Sequence, residues 1–418
     1  MNRTLLLAIV FSLAAATTAA TNVHAQVIAI EGATIHVQPG QTIKNGTVII
    51  RNGKIAYIGT SANVPAGATR IAGKGKVVTA GFVEASTRIG LVEVSAVAHT
   101  REGRFGAGIN AAYRVEDGYN STSTYIPIAR TGGITSAVSA PSGGLVSGTS
   151  AWFSMRDRAF GKKAVVKAPL AMYVSLGNAA LGSASGSRGM AIKRLRELLD
   201  DAAAYAKRRN NFERNQTRKF AASRLDLEAL QPVLKGQVPV VVRAHRSSDI
   251  LAALRIASQL KLRMVIEGGT EAWLVGKQLA AARVPVILNP TQNLPRSFDQ
   301  IHVVNNLAAR LVKQGVRIAI STLGDAANAR TVRQLAGIAV ANGLTWKQAL
   351  AAVTSNPANI FGVRDRGTLR RGAAADVVVW SGDPFELSTK VDAIVVDGAL
   401  QSLTTRQTRL FNRYKKLR

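Results

Sequence analysis

A histidine closing one apolar run, an aspartate following another, and arginines beside both are the residues of this chain best suited to chemistry. His245 follows Val238-Pro239-Val240-Val241-Val242 through Arg243 and Ala244, with Arg246 next. An imidazole can move a proton or bind a metal ion. Guanidinium groups coordinate no metal and grip anions through paired N–H donors. Taken alone, a histidine at a strand end is more often a hydrogen-bonding structural residue. Asp325 follows the run Val316 to Ile320 and precedes a helical stretch from Ala326. It is either an acid–base carboxylate or an N-cap. In Glu267-Gly268-Gly269-Thr270-Glu271 the glycines and Thr270 lead into a helix, whose first N–H groups suit an anion. The stretch Lys76 to Gly90, KVVTAGFVEASTRIG, reads as a buried strand delivering side chains to a site, with Ser86 and Arg88 at its polar end. Nucleophile patterns are absent: there is no Gly-x-Ser-x-Gly elbow and no cysteine, and the glycine-rich Ser142 to Gly148 lacks the phosphate-loop lysine and reads as a loop.

Elements that position these residues follow from periodicity. Short β-prone runs at Val27 to Ile30, Thr47 to Ile50 and Ile55 to Ile58 come first, with Asn52-Gly53 marking a hairpin. Similar runs at Ala375 to Trp380 and Ala393 to Val396 come near the other end. Between them, strand-like runs (Ile134 to Ser139, Leu170 to Val174, Val238 to Val242, Arg263 to Ile266, Val284 to Leu288, Arg317 to Ile320) alternate with helical patterns such as Ser248 to Gln259, Glu271 to Arg283 and Asn328 to Asn342. That alternation predicts parallel strands with crossover helices. A longer helical block from Met190 to about Phe220 interrupts the spacing, and its continuation KRRNNFERNQTRK, from Lys207, reads as a solvated basic face.

The chain has 418 residues, 47% of them hydrophobic, and 54 Lys and Arg against 24 Asp and Glu give a net charge of +30. Such a field favours polyanions. No compact cluster of cations with interleaved aromatics accompanies it, so a solvated basic surface is the plainer reading and weak, salt-labile polyanion binding the expected consequence. The absence of cysteine excludes disulfides and thiolate chemistry. Arg3, the apolar run Leu5 to Ala15 and the small-x-small Val23-His24-Ala25 before Gln26 predict a cleaved secretory signal over residues 1–25, hence a periplasmic or secreted protein. No later run reaches the roughly 18 apolar residues of a transmembrane helix. Residues 404–418 form a basic tail with Phe411 and Tyr414 interleaved.

The motifs resemble those of the metal-dependent amidohydrolases, closest to their imidazolonepropionase-like branch. Gly81-Phe82-Val83-Glu84 matches the start of that family's first barrel strand, GTVIIRNGKIAYIG from Gly46 and GTLRRGAAADVVVWSGDP from Gly367 match its flanking domain, and Gly343-Leu344 with Thr354-Ser355-Asn356-Pro357-Ala358 matches its last helices. The resemblance implies a (β/α)8 TIM-like barrel over 77–365 and a small β-sandwich domain from 26–76 plus 366–403. It also implies hydrolysis of a C–N bond in a cyclic amide or small peptide-like substrate, with a divalent, zinc-like metal as the norm. The family's ligands are two histidines after the first strand, one each after the fifth and sixth, and an aspartate after the eighth. Here the first two positions hold Ser86 and Arg88, and the sixth-strand position holds Gly268. His245 matches the fifth-strand histidine and Asp325 is the nearest match to the aspartate, with a register slip possible at Leu323-Gly324. No metal is therefore expected. The expected catalytic pair is Asp325 with His245, and the expected binding residues are Ser86, Arg88, Arg243, Arg246, Thr270 and Glu271, around a small molecule whose class includes anions. The alternatives are a metal-free pseudoenzyme binding an anion at the barrel mouth, or a polyanion- or envelope-binding protein.

Overall fold

The computed structural model describes residues 27–415, so the expected signal segment lies outside the described residues. The chain begins with β1 (Ile28–Gln38), β2 (Gln41–Arg51), β3 (Lys54–Gly59), β4 (Thr69–Ala72) and β5 (Val77–Ala80). Asn52 and Gly53 both take positive φ, the conformation that lets a two-residue turn match the twist of β2 and β3. The barrel strands follow: β6 (Phe82–Thr87), β7 (Ile134–Ser139), β8 (Val146–Ser154), β9 (Val165–Ser175), β10 (Val240–Ala244), β11 (Met264–Gly268), β12 (Val286–Leu288) and β13 (Ile318–Ile320). The last strands, β14 (Val377–Trp380), β15 (Val391–Val396) and β16 (Ala399–Leu400), return to the first sheet. Its order is β16-β15-β14-β5-β1-β2-β3, with β4 beside β1, and the chain ends meet where β14 runs antiparallel to β5. Ile28, Ile30, Ile35, Val48, Val377 and Val379 from these strands share one core.

The second sheet runs β13-β12-β11-β10-β9-β8-β7-β6, a nearly closed eight-stranded barrel with helices alternating around it. The Gly324 N–H donates to the Ser86 carbonyl at 2.9 Å, tying the end of β13 to β6. Period-two alternation divides the strands. Val241, Val265, Ile287 and Ala319 meet inside, whereas Val240, Val242, Ile266 and Val286 pack under the helices. The same alternation turns Arg243 and Glu267 inward.

Two expectations are corrected. Ser142 to Gly148 is not wholly a loop: its end enters β8, which runs antiparallel to both β7 and β9. Glycine and serine masked the alternation there. The helical block does not reach Phe220: the helix Arg188–Lys207 breaks at Arg208 and a short helix, Arg209–Glu213, ends it. Beyond it the cations are partly paired, Arg218 with buried Asp201 and Arg209 with Glu213 and Glu228. Among the described residues no helix is long and apolar enough to cross a membrane.

A buried ion cluster joins the two sheets. Arg366 donates to Asp376 and Asp397, while Ser136 on β7 and Ser154 on β8 donate to the same two carboxylates. Removing one partner of a buried pair leaves a desolvated charge without its counterion. Asp376→Asn should therefore cost about 3–5 kcal/mol, read as the urea midpoint, whereas loss of the exposed Arg70–Glu31 pair should cost about 0–1 kcal/mol.

Candidate functional site

The floor of the barrel mouth is polar and buried. Glu84 on β6 accepts from the Ser321 hydroxyl, from the Thr322 N–H at 3.1 Å and from the Ser86 N–H at 3.4 Å, all on Oε1. Burial is the largest influence on it and pushes its pKa up to about 8, even though these hydrogen bonds pull the other way. Beside it, Glu267 on β11 accepts from the Ser86 hydroxyl through Oε1 and from Arg243 Nε through Oε2. An irregularity in β6 between Glu84 and Thr87 accompanies this placement of Ser86. The Tyr173 hydroxyl is buried without a hydrogen-bond partner, among the described residues.

Above this floor lies a cleft of about 430 Å³ lined by Arg88, Arg104, Arg243, Ser86, Ser142 and Leu323, among others. Arg88 donates from Nε to the Gly324 carbonyl at 2.8 Å. Burial lowers its pKa, and the positive charges of Arg104 and Arg243 lower it further, against the pull of Asp325 and Glu267. Three guanidiniums thus act on one another across one opening. Arg243 already spends Nε on Glu267, but Arg104 has no side-chain hydrogen bond or ion pair among the described residues. A second cleft of about 490 Å³ adjoins it through Arg88, Leu323 and Gly324 and reaches Asn289, Arg296 and Asp325.

The expected catalytic pair is not assembled: no hydrogen bond joins Asp325 to His245. Asp325 accepts from the Asn328 N–H at 3.2 Å and from Asn328 Nδ2 at 2.8 Å, which closes the turn after β13; the short helix Ala329–Thr331 starts beyond it, with Asn328 at its N-cap. The family's small-Thr-Asp ending is occupied in register by Ser321-Thr322-Leu323, so an apolar side chain takes the aspartate position and the slip lies two residues before Asp325. His245 is held by Thr270 Oγ1 at 2.8 Å and by Gln300 Nε2 at 3.2 Å from its Nε2. Burial lowers its pKa, with Asp299 pulling the other way and Arg243 adding to the fall. Its ring lies against Gly268, where an added Cβ would come within 2.6 Å of the His245 Cε1. The glycine at the lost ligand position is therefore what gives His245 its place.

Of the binding residues, Ser86, Arg88 and Arg243 line the arginine cleft, whereas Thr270 and the His245 ring it holds lie outside its wall. Arg246 and Glu271 are corrected. Arg246 precedes the helix Ser247–Leu260, and its charge acts on Asp249. Glu271 accepts from Ser247 N–H at 2.9 Å and pairs with His302 at 2.8 Å, which commits it to the helix start. Arg104 escaped the sequence reading because it arrives on a glycine-rich loop with no periodic signal.

The donor set does not fit a divalent ion. The ligand positions hold Ser86, Arg88, Gly268 and Leu323, leaving His245 alone, and a guanidinium at such a position repels a cation. Among the described residues no three His, Cys, Asp or Glu side chains are grouped to share a metal.

Residues 240–401 match the model of the amidohydrolase family. The chain is similar to the amidohydrolase tasK of Hapsidospora irregularis, 27% identical over 365 residues, covering 76% of this chain and 37% of that protein. It thus spans little more than a third of that curated relative. Among solved structures, an amidohydrolase from Thermotoga maritima MSB8 is 27% identical, with a TM-score of 0.82 over 90% of this chain and 99% of that one. A molinate hydrolase structure, 16% identical with a TM-score of 0.57 over 91% and 95% of the two chains, shares the fold.

The buried Glu84 makes stability depend on pH. Its folded pKa lies above its unfolded value, so the folded state holds the proton more tightly and stability falls as pH rises from about 4.5 to about 8. The donors lie mainly on Oε1, with the Thr322 N–H only at 3.4 Å from Oε2, so a glutamine keeps the shorter bonds without the ionisable proton. Glu84→Gln should match the wild type near pH 5 and exceed it by a few kcal/mol at pH 8, read by denaturant unfolding at both.

Proposed function

The chain belongs to the amidohydrolase superfamily, and on that premise we propose that its barrel mouth binds a small anion, a carboxylate- or phosphate-bearing molecule, in place of a catalytic metal. The observation that carries this reading is the convergence of Arg88, Arg104 and Arg243 on one cleft with no carboxylate in its wall, the buried Glu267 beneath being already engaged by Ser86 and Arg243. An anion there relieves the repulsion from Arg104 and Arg243 that adds to burial in lowering the Arg88 pKa. Arg104 has its donors free, and Arg88 keeps its Nη groups beyond the bond from Nε, so each can offer N–H groups to an oxyanion. A divalent ion would polarise a carbonyl and generate hydroxide; guanidiniums orient an anion and generate no nucleophile. Binding without brisk turnover is the expected behaviour. The second reading, hydrolysis of a C–N bond in a cyclic amide or small peptide-like substrate, is supported by the hydrolases to which the chain is similar and not by this donor set. Export through residues 1–25 also belongs to the proposal, supported by the charged, apolar and small-residue order of that segment.

Thermal-shift and calorimetric titration with small dicarboxylates and inorganic phosphate tests the first reading. Arg88→Ala and Arg104→Ala should each weaken binding by about 1.5–3 kcal/mol, the usual cost of a charged hydrogen bond, with Arg246→Ala unchanged. Equal anion binding by wild type and Arg88→Ala, or rapid cyclic-amide hydrolysis on adding zinc, contradicts it. For export, the protein recovered outside the cytoplasm should begin at Gln26 on N-terminal sequencing; a chain still beginning at Met1 contradicts it.

A further inference from the structure

Far along the sequence from the barrel-mouth residues, the chain ends in a helix, Arg406–Tyr414, that buries none of its residues. It nevertheless has a designed start. Thr405 and Thr408 form reciprocal side-chain-to-backbone bonds at its N-terminus, so helical structure is specified locally and not by packing. Its two faces differ sharply. Arg406, Arg409 and Arg413 recur at i, i+3 and i+7 on one side, while Leu410, Phe411 and Tyr414 gather on another. Phe411 is 66% and Tyr414 52% exposed, and no acidic residue occurs between Arg406 and Arg418. At about 1.5 Å per residue its length is less than half of a bilayer's hydrocarbon thickness, so such a helix lies along an interface and does not cross it.

The basic face does not simply point into water. Arg406 and Arg409 line a cleft of about 370 Å³ together with Arg130, Arg156, Arg158 and the exposed Phe160, with Asp157 as its one carboxylate. Arg130 is the second, independent sign of a site. Its residue is 2% exposed, its Nη1 donates to the Met155 carbonyl and to Gln401, its Nη2 lies 3.8 Å from the exposed Asp157 carboxylate, and its buried Nε has no hydrogen-bond partner among the described residues. A buried guanidinium with one N–H unpartnered and only a long contact to an exposed carboxylate, in the wall of a cleft lined by four further arginines, favours an oxyanion.

We propose that this cleft and the C-terminal helix form a docking face for an anionic phospholipid surface, with a headgroup phosphate among the arginines and Leu410, Phe411 and Tyr414 at the acyl boundary. Charge complementarity selects an anionic partner. The adjacent apolar row selects a bilayer over a nucleic acid or an acidic protein, because a phosphate backbone offers nothing for it to enter.

The test is flotation of the full chain with phosphatidylcholine vesicles, with and without phosphatidylglycerol, at moderate salt. Wild type should float with the anionic vesicles only. Arg409→Gln should lower partitioning roughly fivefold, the usual worth of one cation near such a surface. The double change Phe411→Ser and Tyr414→Ser should lower it at least about tenfold. Since none of these residues is buried, all variants should keep the wild-type melting temperature and circular dichroism. Full binding by the Phe411→Ser/Tyr414→Ser variant overturns the proposal, as does equal flotation with neutral vesicles. So does Arg409-dependent binding of glycerol phosphate or an oligonucleotide by a protein that does not float. None of these results bears on the barrel mouth, whose arginines are separate.

Discussion

At the floor of the barrel the buried Glu267 carboxylate accepts from Ser86 on one strand and from Arg243 on another. Both of its oxygens are thereby satisfied in a place where an unpaired charge is costly. The chemistry of the mouth depends on this arrangement. A metal ion at the same position needs Glu267 or its neighbours as donors and needs Arg88 and Arg243 elsewhere. With Glu267 spent on Ser86 and Arg243, Arg88 and Arg104 are left without a carboxylate of their own in the cleft, and the local field is positive. Glu84 complements this by staying protonated near neutrality, so the floor supplies one negative charge against three guanidiniums.

The substitutions relative to the family's ligand pattern are mutually consistent. Gly268 makes room for the His245 ring, which Thr270 and Gln300 hold in place. Leu323, at positive φ, and Gly324 turn the chain after β13, and that turn presents the carbonyl that fixes Arg88 and the N–H that ties β6 to β13. Ser321 hydrogen-bonds both Glu84 and the Ser86 carbonyl. Ser86 and Arg88 thus have structural partners, and Gly268 the closeness of His245, that placing a single histidine there would disrupt. A single reversion, at Gly268 for example, would meet His245 at once.

Sequence periodicity carried the fold far. Ile134–Ser139 is bounded as the apolar run suggests, and Asn52-Gly53 turns as its residue types demand. The antiparallel β8 was hidden because Ser147, Gly148, Thr149 and Ser150 break the apolar alternation although all are buried inside the protein. The site was half legible. Ser86, Arg88 and Arg243 follow from strand ends, where side-chain direction is set by period two. Arg104 and the engagement of Glu271 by Ser247 and His302 depend on loop paths, which no spacing rule encodes. Asp325 was chosen for its carboxylate, and the structure puts it in the wall of the cleft beside Arg88, without a bond to His245. The residue in register is Leu323, and an apolar side chain gives no chemical signal to search for.

The account's central claim is that this barrel mouth has exchanged a cation for fixed positive charge. The most direct measurement is elemental analysis of the protein after incubation with zinc and manganese and removal of the excess by gel filtration. The account predicts metal far below one ion per chain, unaltered by His245→Ala. One ion per chain, lost on His245→Ala, would contradict it.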